Sequence, residues 1–231
     1  MSTKYELTDE TKNFCGITLH RIRALRDIPS AGVKSGDLGG WIEKESNLCQ
    51  NGDAWVYDDA EVCGNALVYG DAEVYDNARV YGDARVYGYA KVYGNARVYG
   101  DARVFGDAEV CGDARVYGYA WVFGDAEVYG YARVCGDAEV CGNALVYGNA
   151  DYMTFKNSWS SGRWFTYTRS NKMWKVGCFY GSGDELIKKA YADSELSGKC
   201  YEAIVRAVET IEAAKAEAAL AKAAGESEAV E

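Results

Sequence analysis

The chain has 231 residues, and its 35 acidic and 25 basic side chains give it a formal net charge of −10 at pH 7. The whole surplus lies between residues 52 and 153, which hold seventeen acids and seven bases. An acidic balance of this kind argues against bulk attraction to nucleic acid or to an anionic membrane. We also expect neither a signal peptide nor a membrane span, because no stretch approaches twenty consecutive apolar residues.

Residues 1–51 are predicted to form an N-terminal cap followed by an imperfect first coil. A strand pattern occupies residues 18–25, and residues 36–50 carry an irregular version of the repeat that follows. A stack of coils leaves unpaired strand edges at both ends, and such edges promote aggregation unless another segment covers them. We therefore expect this segment to cover the first edge.

Residues 52–147 repeat one six-residue phrase sixteen times without an insertion, and a partial copy extends the repeat to residue 153. The phrase is Gly, Asp or Asn, Ala, a variable residue, Val, and then Tyr, Cys or Phe, as in GDARVY at residues 82–87. Its last three positions alternate out, in and out, as in a strand, and the Gly-Asx pair suits a corner. Because one unit cannot bury its own apolar face, the units must stack on their neighbours.

This pattern resembles the repeat of hexapeptide-repeat proteins. The resemblance implies a left-handed parallel β-helix, in which three hexads form one triangular coil and coils lie about 4.8 Å apart. Every eighteenth residue then falls in one outward column, on one of three flat faces. Tyr89, Tyr119 and Tyr131 replace the corner Asx residue, and we expect these bulky rings on the surface.

Two faces carry columns that are candidate binding surfaces. Face two is predicted to present arginines beside tyrosines, and face one is predicted to present glutamates. Arginines about 4.8 Å apart repel one another, so the arginines are either solvated, with their stems over the tyrosine rings, or form a contact surface for an anion or a partner subunit. The candidate binding residues are Arg79, Arg97, Arg115 and Arg133, Tyr81, Tyr99 and Tyr117, and Glu73, Glu109 and Glu127.

Residues 154–231 are predicted to form a C-terminal module of short strands and two helices. Strands are expected at residues 152–156, 163–169 and 175–180. Ser182 and Glu185 form a capping-box pattern for a helix that ends near residue 192, and an amphipathic helix follows from about Gly198. Beyond Ile211 the sequence is rich in Ala, Glu and Lys, which predicts a solvated helical tail.

The eight cysteines are predicted to be free thiols. Cys63, Cys111, Cys135 and Cys141 occupy the last position of the hexad, where they replace an aromatic residue as small apolar side chains. No two of them are one coil of eighteen residues apart, so none is expected within bridging distance of another. Free thiols indicate a cytoplasmic protein. No Cys-x-x-Cys pair occurs, and we expect neither a metal site nor a cofactor.

Both ends of the chain extend the resemblance. Residues 4–8, 19–25, 36–43 and 177–182, taken with the repeat, resemble a group of hexapeptide-repeat proteins common in phages and prophages, usually labelled transferase or polymer-forming protein. The likeness covers nearly the whole chain except about residues 212–231. It implies a homotrimer, the usual assembly for this fold, and it carries no established activity.

Catalysis is not expected. The β-helix acyltransferases that this repeat resembles generally use a histidine as general base, placed on a coil or an adjacent loop. The sole histidine, His20, precedes the repeat, and no loop interrupts the coils. Related carbonic anhydrases need three histidines, which this chain lacks. We therefore interpret His20 as a cap-strand residue with a local hydrogen bond.

We predict a non-catalytic structural or interaction protein, cytoplasmic and, if phage-encoded, in the host cell. The glutamates of one subunit are expected to face the arginines of the next in a parallel homotrimer, although Lys91 would oppose a neighbour's arginines. One alternative is a phage decoy that binds a host protein or an anionic, nucleotide-like ligand. A second is an acyltransferase of the hexapeptide-repeat class, supported by fold analogy alone.

Overall fold

The computed structural model of the chain describes residues 3–228, and the chain divides into two compact units, Met1–Cys178 and Phe179–Glu231. The first unit contains the cap, the repeat and a small antiparallel sheet, and the second contains one short strand and two helices. The last part of the predicted C-terminal module, residues 229–231, lies outside the described residues.

The cap consists of β1 (Tyr5–Phe14), β2 (Ile17–Ala24) and β3 (Leu38–Ile42), with short 3₁₀ turns at Pro29–Ala31 and Glu45–Asn47. β1 and β2 form an antiparallel hairpin, and β2 also pairs antiparallel with β3. β3 then runs parallel to the first strand of face two and aligns Trp41 with Glu61. β3 therefore adds a further strand below the first full coil on this face, and the hairpin extends its sheet.

Each hexad of the repeat contributes one short strand to one of three parallel sheets. The strands are, in chain order, β4 (Trp55–Val56), β5 (Glu61–Val62), β6 (Leu67–Val68), β7 (Glu73–Val74), β8 (Arg79–Val80), β9 (Arg85–Val86), β10 (Lys91–Val92), β11 (Arg97–Val98), β12 (Arg103–Gly106), β13 (Glu109–Val110), β14 (Arg115–Val116), β15 (Trp121–Gly124), β16 (Glu127–Val128), β17 (Arg133–Val134), β18 (Glu139–Val140) and β19 (Leu145–Val146). Each strand pairs with the strand three places further along, so three hexads form one coil. The predicted parallel β-helix is confirmed, with about six turns.

The interior of the coils is built from the repeated valine and alanine. The valines from Val56 to Val146 are at most 1 % exposed, and the alanines from Ala54 to Ala144 are fully buried. Backbone N–H groups donate to carbonyl groups one coil further on, as Arg97 N does to Ala114 O at 2.9 Å. Because each coil is buried and hydrogen-bonded only through its neighbours, the first and last coils need other partners.

The cap supplies donors to the carbonyl groups at the open edge of the first full coil. Lys4 is fully buried, and its Nζ donates to Ala54 O at 2.8 Å. The side chain of Asn47 is also buried, and its Nδ2 donates to Gly64 O at 3.1 Å and to Ala66 O at 2.9 Å. These side chains take the place of the strands that a further coil would contribute, and so protect the edge.

After the repeat, β20 (Tyr152–Lys156), β21 (Trp164–Thr168) and β22 (Met173–Val176) form an antiparallel sheet in that order. Its core contains Trp174, whose ring centroid lies 5.1 Å from that of Tyr167. The prediction of one strand over residues 175–180 is wrong, because Gly177 has a φ of +55° and turns the chain after Val176.

The C-terminal sheet and the turn before it supply acceptors to the last coil, whose N–H groups have no further coil above them. Three side-chain oxygens accept one backbone N–H on each face: Asn149 Oδ1 from Arg133 N at 2.9 Å, Thr166 Oγ1 from Glu139 N at 2.9 Å, and Ser170 Oγ from Leu145 N at 2.7 Å. The second edge is therefore capped by side chains rather than by another strand.

We expect Thr166→Val to lower the free energy of unfolding by about 1–3 kcal/mol, since it keeps the side-chain volume but leaves the N–H of Glu139 without its acceptor. Thr154→Val is the matched control, because exposed Thr154 lies opposite Thr166 on β20. Urea denaturation of both variants measures the difference. Equal losses would show that the hydroxyl does not stabilise the last coil.

The second unit contains β23 (Phe179–Gly181), α1 (Gly183–Asp193) and α2 (Glu195–Glu228). The capping box predicted for α1 is confirmed, since Ser182 N donates to Glu185 Oε2 at 2.8 Å and Glu185 N donates to Ser182 Oγ at 3.4 Å. Both orphan donors at the start of the helix are thereby satisfied.

The predicted start of the second helix near Gly198 is wrong, because Ser194 caps α2 earlier by accepting a hydrogen bond from Ser197 N at 3.1 Å. Gly198 instead lies in the first turn, where a Cβ would fall 2.2 Å from the Tyr191 ring. Leu220 is exposed, as expected for the solvated extension beyond Ile211, whereas Ile211, which the amphipathic pattern places on the apolar face of the helix, is exposed as well.

Candidate functional site

The four candidate arginines of face two lie in direct register, and we call them the arginine column (Arg79, Arg97, Arg115 and Arg133). Arg97 lies opposite Arg79 on one side and Arg115 on the other, and Arg115 lies opposite Arg133. Arg79, Arg97 and Arg115 are half-buried, whereas Arg133 is exposed. The structure thus brings together all four residues, because strands three hexads apart pair residue by residue.

The lowest arginine of the column is already engaged by the cap. Arg79 Nε lies 3.0 Å from Glu61 Oε2, and the guanidinium lies 4.9 Å from the centre of the Phe14 ring. Lys12 Nζ lies 2.9 Å from the other carboxylate oxygen of Glu61, which is buried. Glu61 therefore balances two cations, and Arg79 is not available to a partner in the way that the sequence suggested.

The upper arginine column (Arg97, Arg115 and Arg133) has no carboxylate within ion-pair distance in the part of the chain between residues 3 and 228. A hollow of about 340 Å³ lies at its lower end, lined by Arg79 and Arg97 together with the corner residues Asn77, Asn95 and Asp113. Like charges held in register are destabilising unless an opposite charge approaches them. An anionic group bound at this surface would therefore reduce the repulsion between the guanidinium groups.

Beside the arginine column, Tyr81, Tyr99 and Tyr117 form the tyrosine stack. The ring centroids of Tyr81 and Tyr99 are 4.9 Å apart, and those of Tyr99 and Tyr117 are 5.0 Å apart, with nearly parallel planes. Within residues 3–228, no guanidinium group of the column lies over one of these three rings, and that of Arg79 lies over Phe14 instead. The rings pack on one another and leave the guanidinium groups separate.

The cap hairpin covers the lower end of the tyrosine stack. Phe14, Ile17 and Tyr81 pack against the buried cluster that contains Leu19 and Cys63. Burial raises the pKa of Tyr81 above its ordinary value. The uncovered part of face two therefore begins above Tyr81.

Face one carries the glutamate column (Glu73, Glu109 and Glu127), with Lys91 between Glu73 and Glu109 in the strand register. Tyr93 Oη donates to Glu109 Oε2 at 2.9 Å and so holds this carboxylate in place. Hydrogen bonding to Cys111, burial and the bond to Glu109 together raise the pKa of Tyr93. The described residues place no cation within ion-pair distance of these three glutamates.

Among the described residues, the side chains that could serve as a catalytic base, a metal ligand or a reactive thiol lie apart from one another. His20 lies on β2 with Nδ1 3.2 Å from Thr8 O, which confirms the local hydrogen bond predicted for it. Between residues 3 and 228, no three His, Cys, Asp or Glu side chains are grouped so as to hold a metal ion. All eight cysteines are unbridged, and Cys63 and Cys141 are buried. Over the same described range, no helix is both long enough and apolar enough to span a bilayer.

The middle part of the repeat matches a known family of repeat sequences. The family described as YdcK Beta solenoid repeat matches residues 72–88, 78–94, 90–106, 96–110 and 108–124. These overlapping segments include Arg79, Arg97 and Arg115 and most of the coils between the two caps. Comparison with curated proteins gives no match. The chain is a β-solenoid repeat protein, and over residues 72–124 it is similar to the YdcK repeat.

Proposed function

We propose that this protein is a non-catalytic structural or interaction protein that assembles as a parallel homotrimer through face two. The observation that carries the proposal is the upper arginine column, three half-buried or exposed guanidinium groups in register without a carboxylate partner of their own. A closed three-fold assembly places one surface of each subunit against a different surface of its neighbour. In this trimer, face two meets face one of the next subunit.

The coil levels of the two columns favour this pairing. Glu109 and Arg115 belong to one coil, and Glu127 and Arg133 belong to the next. Glu109 also precedes Arg115 and follows Arg97 along the rise of the solenoid, so it can reach either guanidinium. Partly buried Arg–carboxylate pairs contribute more than exposed ones, and Arg and Tyr are enriched among residues that dominate binding.

The cap limits the interface to the upper coils. Arg79 is paired with Glu61, and Tyr81 packs beneath the hairpin, so neither side chain contributes to the contact with a neighbouring subunit. Arg97 would face Lys91 of the next subunit at the lower boundary, where the interface ends. Tyr99 and Tyr117 then lose water together with Arg115 and Arg133, which adds apolar burial to the charge pairs.

The non-catalytic and cytoplasmic parts of the proposal rest on separate observations. His20 is occupied by Thr8 in the cap, away from the repeat in sequence, which supports the absence of an acyltransferase base. Eight unbridged thiols support a reducing compartment. The resemblance of both chain ends to phage and prophage proteins supports a phage source. Turnover of acyl-CoA by the purified protein would contradict the non-catalytic role.

Reversing two arginines tests the interface. Arg115→Glu combined with Arg133→Glu places like charges opposite Glu109 and Glu127, so we expect the trimer to dissociate into single chains of 25.3 kDa. Light scattering and sedimentation velocity measure the mass. Adding Glu109→Arg and Glu127→Arg should restore part of the trimer, because the charge pairs are then re-formed with opposite polarity.

The matched control is Arg85→Glu combined with Arg103→Glu, which reverses two arginines that lie in register on face three. This variant should remain trimeric, since face three has no place in the interface. A wild-type protein that is monomeric, or an Arg115/Arg133 reversal that stays trimeric, would contradict the proposal. If the wild-type protein is monomeric, the arginine column is better explained as a binding site for a smaller anionic ligand.

A further inference from the structure

Face three carries a groove that neither the arginine column nor the proposed interface uses. Its volume is about 520 Å³, within the range of about 300–1,000 Å³ that small-molecule sites occupy. One wall is the solenoid, with Arg103 and Trp121, and the other contains Arg163 and Trp164 at the start of β21. All lining residues belong to the first unit.

The groove lies where the repeat departs from its own pattern. In the hexad of residues 118–123, Tyr119 replaces the corner Asx and Trp121 occupies the variable position. Tyr119 is 63 % exposed, and its ring is held at a corner where most hexads have a short polar side chain. The prediction that this tyrosine lies on the surface is confirmed. Two adjacent aromatic side chains therefore project from a coil that does not need them for its core.

Trp121 is fixed in place by its neighbours. Its ring meets Phe105 edge-on at 6.2 Å, and the guanidinium of Arg103 lies 5.0 Å from its centre. β12 and β15, which carry these residues, are each four residues long, whereas the other strands of the repeat have two. On these two strands, the rings of Phe105 and Phe123 stack with their centroids 4.8 Å apart. A half-buried indole on such a support is a preorganised platform for a ligand.

The polar side chains of the lining include hydrogen-bond donors and acceptors that do not pair with one another. Arg85, Arg103 and Arg163 line the groove together with Asp83, Asp101 and Asp137, and within residues 3–228 no ion pair joins these arginines to these aspartates. Glu139, also in the lining, is balanced by Lys175 Nζ at 3.2 Å. The site thus offers guanidinium donors and carboxylate acceptors in comparable number, above aromatic rings.

This combination selects a class of ligand. The aspartates would repel a strongly anionic ligand, and the arginines would repel a cationic ligand. Neither kind of ligand therefore complements the whole lining. A hydroxyl group both donates and accepts, and therefore suits a carboxylate and a guanidinium at once. The C–H face of a pyranose ring packs flat against an indole. We propose that the groove binds a neutral oligosaccharide, with one sugar ring on Trp121 and hydroxyls bonded to Asp101 and Asp137.

The test uses the full chain and three defined probes, maltotriose, cellotriose and N,N′,N″-triacetylchitotriose, titrated by isothermal calorimetry and followed by tryptophan fluorescence. We expect at least one probe to bind, and Trp121→Ala to weaken its affinity by about tenfold or more. Asp101→Asn combined with Asp137→Asn should weaken it similarly while leaving the aromatic platform intact. Other hexads carry Asn at this corner position, as at Asn95, so we expect both Asp→Asn changes to preserve the fold.

Tyr131→Ala is the matched control, because Tyr131 is an exposed corner tyrosine on a different corner of the solenoid. Its affinity should equal that of the wild type. Circular dichroism confirms the fold of each variant. The proposal is overturned if none of the probes binds at about 10 mM, or if binding survives both the Trp121 and the aspartate variants. We expect these changes to leave the oligomeric state unaltered, because the groove lies on face three, so the result is independent of the trimer test.

Discussion

Gly94→Ala is expected to lower the free energy of unfolding by about 3 kcal/mol, from two effects at one corner of the solenoid. Gly94 has a φ of +68°, a left-handed conformation that L side chains rarely adopt. A Cβ built there lies 3.0 Å from Gly112 N in the next coil, closer than a Cβ ordinarily approaches. The variant therefore strains the corner and pushes two coils apart.

Gly136→Ala separates the two effects. Gly136 has nearly the same backbone, with a φ of +66°, but a Cβ built there meets nothing within 4 Å. We expect a loss of about 1–2 kcal/mol for this variant, from the backbone alone. Urea denaturation followed by circular dichroism measures both. If the two variants lose the same stability, contact between stacked corners does not restrict this position to glycine.

At two corners of the repeat, the chain carries Asp in place of the glycine, and these positions show how a side chain can be accommodated there. Asp58 and Asp76 hold the same corner position with φ values of +50° and +58°, in the column that leads to Gly94. The Asp76 carboxylate accepts a hydrogen bond from Gly94 N at 3.0 Å, which offsets the strain of its side chain. We therefore expect Gly94→Asn to be less destabilising than Gly94→Ala, because an amide oxygen can accept from Gly112 N in the same way.

The period of the repeat was enough to predict the solenoid and its surface columns. Once three hexads form a coil, residues eighteen apart must pair, and the register of Arg97 with Arg115 or Glu109 with Glu127 follows by counting. Burial of the valines and alanines follows in the same way. These features depend only on local spacing, which the sequence displays directly.

Features that depend on contacts between distant segments were not predictable. Lys12 and Phe14 meet Glu61 and Arg79 because the cap hairpin lies along face two, and nothing in the sequence of residues 5–24 specifies that direction. Glu61, the one acid at the foot of the arginine column, was the only available signal. The burial of Lys4 was also missed, since a lysine near a chain end is ordinarily solvated.

The groove on face three was missed for a related reason. Trp121 and Tyr119 were visible as departures from the repeat, but the second wall comes from Arg163 and Trp164, which follow the solenoid in sequence. Whether these residues approach face three depends on the turns between β20 and β21. Counting in steps of eighteen describes columns within the repeat and cannot place a segment outside it.

Alkaline pH is expected to destabilise the first unit steeply, because several buried acids keep their protons in the folded state. Burial raises the pKa of the Cys63 thiol from 9.0 to about 11 and that of Cys141 from 9.0 to about 12. Burial also raises the pKa of Tyr5, Tyr57 and Tyr152 above the ordinary 10.0. The unfolded chain releases these protons at a lower pH than the folded protein does.

The direction of the effect follows from proton binding. For each thiol, the stabilisation is complete below pH 9.0, where both states are protonated, and it is lost as the pH rises through the folded pKa. Lys4 acts in the opposite sense, since burial lowers its pKa from 10.5 to about 8. Its contribution is present above pH 10.5 and is lost as the pH falls towards 8, so it partly offsets the thiols between these values.

Removing the two buried thiols should therefore flatten the pH dependence. Each thiol lowers the free energy of unfolding by up to about 1.4 kcal/mol per pH unit in its window, so the pair accounts for about 3 kcal/mol per unit. Cys63→Ala combined with Cys141→Ala should reduce the average slope between pH 9 and 11 by about 2 kcal/mol per pH unit, which is below this limit because the thiols are partly titrated at both ends of the window, whatever the effect on stability at pH 8. Cys178→Ala, at an exposed thiol, should leave the slope unchanged. Urea denaturation at several pH values gives the slopes, and equal slopes for the double variant and the wild type would mean that these thiols do not hold their protons in the folded state.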